Sequence, residues 1–223
     1  MGRRRFLGLV SAVTGVCLTV LLGLTLARNG PGAPADFGTD PVRASAPAAS
    51  PRPPDGRPSH APAPAVRDRA AAIPAPVSVR IPRLRLAAPV EAVGVAPDGQ
   101  VAVPDDPARA GWYRFSPSPG AVAGSSVVVG HVDATGRGLG VLAALSEVRE
   151  GDEVVVDRRD RPTTTYRITS RRTVAKDALA GSGAFRREGP PVLTLITCAG
   201  PYLPEAGGYQ NNLVVTAAAV ATG

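Results

Sequence analysis

From residue 77 onward the chain is a succession of short apolar runs cut by turn signals, and that rhythm leaves little room for helices. "VSVRI" (77–81) alternates apolar and polar residues and stops at Pro82. "APVEAVGV" (88–95) follows and is closed by "APDGQ", a turn built on Asp98-Gly99. "VAVP" (101–104) is short, and "GWYRF" (111–115) ends in "SPSPG". "SSVVVGHV" (125–132) reads as a buried strand. "DEVVVD" (152–157), "TTTYRITSRRTVA" (163–175), "VLTLITC" (192–198) and "NLVVTAAAV" (212–220) complete the set. A short helical stretch is predicted near 140–146, and "KDALAG" reads as one helical turn. The pattern predicts a mostly-β domain over residues 74–223, a small barrel or sandwich. About 150 residues suffice to bury a real core.

The preceding residues have a different character. "MGRRR" is followed by an uncharged apolar run over residues 6–27. At 1.5 Å per residue this run spans roughly 30 Å of hydrocarbon. The arginines before it predict a cytoplasmic N-terminus and an extracellular remainder. Residues 1–27 are thus a membrane anchor or, with the small residues of "TLA" and "APA" as a cleavage site, the signal peptide of a secreted protein. Cys17 lies mid-span as an apolar filler. Residues 28–73 are rich in Pro and Ala, with Phe37 their one aromatic and no apolar periodicity, and they read as a disordered, semi-stiff spacer. His60 falls in it as a solvated side chain.

Charge excludes one class of partner. The net charge is +7, but Arg3, Arg4 and Arg5 and the spacer carry most of it. Residues 74–223 hold sixteen basic against fourteen acidic residues. A nucleic-acid footprint needs basic residues clustered on a folded face, so no nucleic-acid partner is expected.

The domain has one cysteine and one histidine, and both sit where a strand is read to end. Cys198 closes "VLTLITC", and the following "AGP" reads as a turn that leaves the sulfur accessible. His131 follows "SSVVVG" and opens a Gly-rich loop. A leftover thiol in an exported chain is either a reactive group or a small buried apolar residue. Thiol catalysis needs an acid–base partner and a means of holding an oxyanion. A metal site needs three or four ligands, and these two residues fall short of it, so neither metal nor cofactor is expected.

Several of these segments resemble one family. "TLITC" resembles the Thr-Leu-x-Thr-Cys signature of sortases, and "VVGHVD" their histidine motif. The agreement is collinear through "IPRLRLAAPVEAVG", "VPDDPARAGWY", "SPSPGAVAGSSVVVGHVD", "LSEVREGDEVVV" and "TVAKDAL", and looks like the actinobacterial class F type. L,D-transpeptidases, which also pair Cys and His, place a second His close before the Cys, and none stands there. The resemblance implies an eight-stranded sortase-like β-barrel and a cysteine transpeptidase. Such an enzyme cleaves a cell-wall sorting signal on surface proteins and passes the acyl group to an amine acceptor of the wall or a protein, or to water. It further implies Cys198 as nucleophile, His131 as acid and base, and Thr197 as a residue that helps hold substrate. Asp133 matches the motif's acidic position, as a substrate contact or as an Asx-type turn.

The family's arginine is missing. Class F relatives read much like "YRDN" early in the last strand, and this chain reads "YQNN" over residues 209–212. Gln210 stands at the Arg position, expected to point at the carbonyl Cys198 attacks and to offer a donor without charge. Arg114 or Arg137 is a candidate substitute cation. The alternative implied is a catalytically impaired, membrane-tethered binding module.

Overall fold

The computed structural model describes residues 34–38, 74–159 and 161–220. The expected membrane span lies outside them, as does most of the expected spacer. No helix among the described residues is long and apolar enough to cross a membrane.

Among the described residues ten strands follow in order: β1 (Pro76–Ile81), β2 (Leu86–Val93), β3 (Ala110–Tyr113), β4 (Ser125–Val129), β5 (Asp133–Ala134), β6 (Gly138–Leu139), β7 (Glu153–Arg158), β8 (Arg161–Ala175), β9 (Val192–Leu203) and β10 (Gly208–Ala219). Eight of them close into a barrel in the order β1-β2-β3-β4-β9-β10-β8-β7, and β5 and β6 form a separate ribbon. The predicted barrel is therefore observed. Two neighbours run parallel, β2 with β3 and β4 with β9, and the other pairs are antiparallel. The described helical segments are single 3₁₀ turns, including Ala143–Glu147 and Lys176–Ala178 near the two predicted helical stretches.

Alternation along the strands builds two apolar clusters. Val128, Leu193, Leu195, Leu213 and Val215 point inward with Tyr166, Ile168 and Trp112 to fill the barrel. Their neighbours Val127, Val129, Ile196 and Val214 point outward and are covered by Tyr113, Leu179 and Phe185. The centre of "SSVVV" is thus buried on both faces, which is why it reads as a continuous apolar run rather than an alternating one. The outer cluster positions the candidate site described below.

Three expectations need correction. "VAVP" contributes only an isolated bridge, Val95 with Val101. The strand expected over 125–132 stops at Val129. The strand expected to end at Cys198 continues to Leu203, and "AGP" is not a turn. Between Ala199 and Tyr202, β9 places Gly200 and Pro201 opposite the single residue Gln210. A proline has no N–H for the ladder and is tolerated at such a bulge, so the hairpin continues past it.

The spacer also holds a docked segment. β7 pairs with β8 only as far as Arg167, which leaves the second half of β8 with an open edge on that side. Phe37 covers it, exchanging two backbone hydrogen bonds with Arg171, each 3.0 Å. The Arg171 guanidinium donates to the Ala35 carbonyl at 2.6 Å and lies 5.0 Å from the centre of the Phe37 ring. Asp36 accepts a bond from the Thr173 amide at 2.8 Å. An exposed edge is a liability that native proteins cover, and here a short spacer segment covers it.

Candidate active site

β4 and β9 are parallel neighbours, with Val129 beside Ile196. The Gly130 amide donates to the Ile196 carbonyl at 3.1 Å, and the buried Thr197 hydroxyl donates to the Gly130 carbonyl at 2.9 Å. Two bonds therefore clamp the end of β4 to β9 one residue before His131 and one before Cys198. The clamp ties the two residues that sequence reading singled out to neighbouring strands, His131 just past the end of β4 and Cys198 within β9.

The loop that follows holds the imidazole. His131 Nε2 bonds the Pro104 carbonyl at 2.8 Å. A carbonyl only accepts, so Nε2 carries the hydrogen and Nδ1 is the basic nitrogen of the neutral ring. The His131 carbonyl accepts from the Leu142 amide at 3.1 Å. Gly140 passes so close that a Cβ there would overlap the His131 backbone and stand 2.5 Å from its Cβ. Glycine is required at this approach.

Cys198 is half-buried within β9, not at its end. Its sulfur is reachable because the outer face of the sheet opens there into a cavity of about 680 Å³. Val103, Tyr113, Phe115, Leu179, Phe185 and Ile196 give this cavity apolar walls, and Lys176, Asp177, Arg187 and Asn212 give it polar ones. Burial pushes the Cys198 thiol above its ordinary value, the Lys176 charge pulls it down, and Asp133 pushes it up again. The net shift is upward, against thiolate formation.

A second cavity of about 610 Å³ is lined by Asp133, Tyr202, Tyr209 and the β5–β6 ribbon. Tyr209 donates its hydroxyl to Asp133 Oδ2. This bond, with burial and the nearby charges, pushes the phenol up to about 12. The Tyr202 and Tyr209 rings meet edge to face, 5.0 Å between centroids. Asp133 and Tyr209 both interact electrostatically with Cys198.

The remaining expected site residues are placed differently. Thr197 lines the large cavity, and its hydroxyl donates to the Gly130 carbonyl. Gln210 does not line the large cavity. Its amide donates to the Gly208 and Ala206 carbonyls at 2.6 and 3.3 Å, within the hairpin tip. Arg114 lies 5.0 Å from the Phe115 ring, and Arg137 donates to the Asp105 carbonyl; neither lines the cavity. Two residues that sequence reading passed over do line it. Asn212 is the cross-strand partner of Cys198, and Lys176 follows the end of β8. Asn212 was open to detection as a polar residue at the head of an apolar strand. Lys176 carried no local signal.

A closed β-barrel that holds Cys198 on one strand beside an apolar cavity, and His131 two residues past the end of the parallel neighbour, carries the residue types that thiol acyl transfer uses. The sequence profile of the sortase domain matches residues 79–220, and the chain belongs to the sortase family. Its membership makes it, in general terms, a sortase-type transpeptidase. Among solved structures it is similar to sortase C1 from Streptococcus agalactiae, with 22% identity, a TM-score of 0.50, and 66% of this chain and 67% of that one covered. It is also similar to a lid mutant of sortase A from Corynebacterium diphtheriae, with 19% identity, a TM-score of 0.51, and 70% and 75% covered. At these identities the likeness speaks for the fold. No curated protein sequence matches the chain.

Proposed function

We propose that the protein is a membrane-anchored, extracytoplasmic cysteine transpeptidase of the class F type, acting on a sorting signal that resembles Leu-Pro-x-Thr-Gly. The observation that carries this reading is the clamp between Gly130 and Thr197, which ties together the backbone one residue before His131 and one residue before Cys198, the latter lining the cavity. The apolar walls suit the aliphatic part of such a peptide.

In the first half-reaction the Cys198 sulfur, its proton taken by His131, attacks the threonyl carbonyl. The C–N bond breaks, and the leaving amine takes the proton from His131. The product is a thioester on Cys198. In the second half an acceptor amine attacks the thioester, His131 takes its proton, and the C–S bond breaks to release the thiolate. Water in place of the amine gives hydrolysis. The Asn212 amide, on the strand beside Cys198, is the neutral donor best placed for the developing oxyanion. The acceptor enters from the cavity of Asp133, Tyr202 and Tyr209, whose carboxylate and ring faces suit an ammonium group. A donor without charge is expected to make turnover slow, and Gln210 in place of a cation also favours the second reading, a sorting-signal binder that has lost catalysis.

Mass spectrometry of the protein incubated with a sorting peptide separates the two. A stable or hydroxylamine-sensitive acyl adduct on Cys198, absent in Cys198→Ala and His131→Ala, supports the enzyme. Peptide binding without any adduct supports the binder. For topology, protease added to intact protoplasts is expected to remove the barrel; a barrel that stays protected refutes the extracellular placement.

A further inference from the structure

We infer that Lys176 provides the positive charge that favours the Cys198 thiolate, in the absence of a cation at position 210. The argument begins with a row of residues across three strands. Cys198 on β9 pairs with Asn212 on β10, and Asn212 pairs with Val174 on β8. Directly paired residues share a face, and Val174 packs with the outer cluster, whose Ile196, Leu179 and Phe185 line the large cavity. Two strand spacings put the Val174 backbone about 10 Å from that of Cys198. The next residue on that face is Lys176, where β8 ends and a 3₁₀ turn begins. Its flexible four-carbon stem spans roughly 6 Å, enough to carry the ammonium toward the sulfur. Lys176 and Cys198 line the same cavity.

The other charged groups around the thiol do not fill this role. Asp177 and Arg187 line the cavity too, from the segment between β8 and β9, but neither continues the row of paired residues that runs from Cys198 through Asn212 and Val174 to Lys176. Asp133, at the start of β5, acts in the opposite sense. His131 is the proton acceptor, and Tyr209 stays neutral through its bond to Asp133. Gln210 has its amide engaged in the hairpin tip. None of the ion pairs among the described residues involves Lys176. A lysine charge beside a thiol lowers the thiol's pKa and raises its thiolate fraction. In the acylation step the same charge opposes the cost of the developing oxyanion.

The consequence for rate rests on the proposed function, but the effect on the thiol does not. The test measures the rate of iodoacetamide alkylation of Cys198 against pH in the full-length protein, read on the Cys198 peptide by mass so that Cys17 does not contribute. Lys176→Met is expected to move the alkylation midpoint to higher pH and to slow alkylation at pH 7 by roughly threefold to tenfold. Lys176→Arg restores both. Arg187→Met and Gln210→Ala leave the midpoint in place. The difference between wild type and Lys176→Met narrows as salt is raised, because the lysine is exposed. An unmoved midpoint in Lys176→Met, or an equal displacement in Arg187→Met, overturns the inference. A displaced midpoint in a protein that no sorting peptide acylates upholds it while refuting the enzyme reading.

Discussion

Replacing Thr197 by valine removes one hydroxyl and little volume from a residue 3% exposed, and leaves the Gly130 carbonyl without the bond that closes β4 onto β9. A buried acceptor stripped of its partner costs about 1–3 kcal/mol. In a domain of this size each kcal/mol lowers Tm by roughly 2–4 °C, so a loss of about 2–12 °C is expected. The larger effect falls on chemistry. His131 is one residue past the clamp, and a shift of about 1 Å in a reacting group can cost up to 100-fold in rate. Thr197→Val is expected to lower kcat/KM by tenfold or more on a fluorogenic sorting peptide. Thr197→Ser, which keeps the hydroxyl, should remain within about threefold of wild type once its smaller volume is allowed for. Calorimetry and the peptide assay on the three proteins decide the matter. If Thr197→Val melts with wild type and turns over at the wild-type rate, the clamp is not what aligns the two residues. If Thr197→Ser is as slow as Thr197→Val, the methyl group and not the hydroxyl is what matters.

Gly140→Ala should force the loop off His131, with acylation reduced at least tenfold and the barrel intact by circular dichroism; wild-type acylation would show that the loop does not position the imidazole. Asp133→Asn should lower the ratio of aminolysis to hydrolysis for a cationic primary amine while leaving the neutral nucleophile hydroxylamine unaffected; equal losses for both refute the ammonium subsite. Phe37→Ala should lower Tm by a few degrees, since a half-buried ring on the open edge of β8 is worth about 1–2 kcal/mol; no change would mean that the segment does not stay docked. The Asp157 carboxyl is held below its ordinary value, chiefly by the Ser78 hydroxyl at 2.5 Å and also by Arg80 and Thr163, against burial. A depressed carboxylate contributes stability that is present above about pH 4 and lost as pH falls through its lowered value. Ser78→Ala should therefore move acid unfolding to higher pH, read by fluorescence of Trp112; an unmoved midpoint counts against the bond.

Strand content and the two candidate site residues were legible because they are local properties. A period of two shows in a few consecutive residues such as those of β1, and a lone Cys and His need no partner to be noticed. The family signature around them is equally local. What the chain alone did not disclose depends on which strand lies beside which. Gly200 and Pro201 look like a break in isolation, yet β10 runs alongside with one residue fewer, and the ladder absorbs them as a bulge. Gln210 sits at a position where relatives carry a cation, but its amide is claimed by carbonyls that only the hairpin tip brings near. Lys176 lies twenty-two positions before Cys198 and reaches its cavity only because β10 pairs with both β8 and β9. Phe37 belongs to a segment with no periodicity of its own, and it is ordered by an open strand edge more than a hundred residues away. Local pattern determines which residues prefer a pleated, half-buried strand. Contacts between distant residues decide the rest, since their free energy exists only after the barrel has closed.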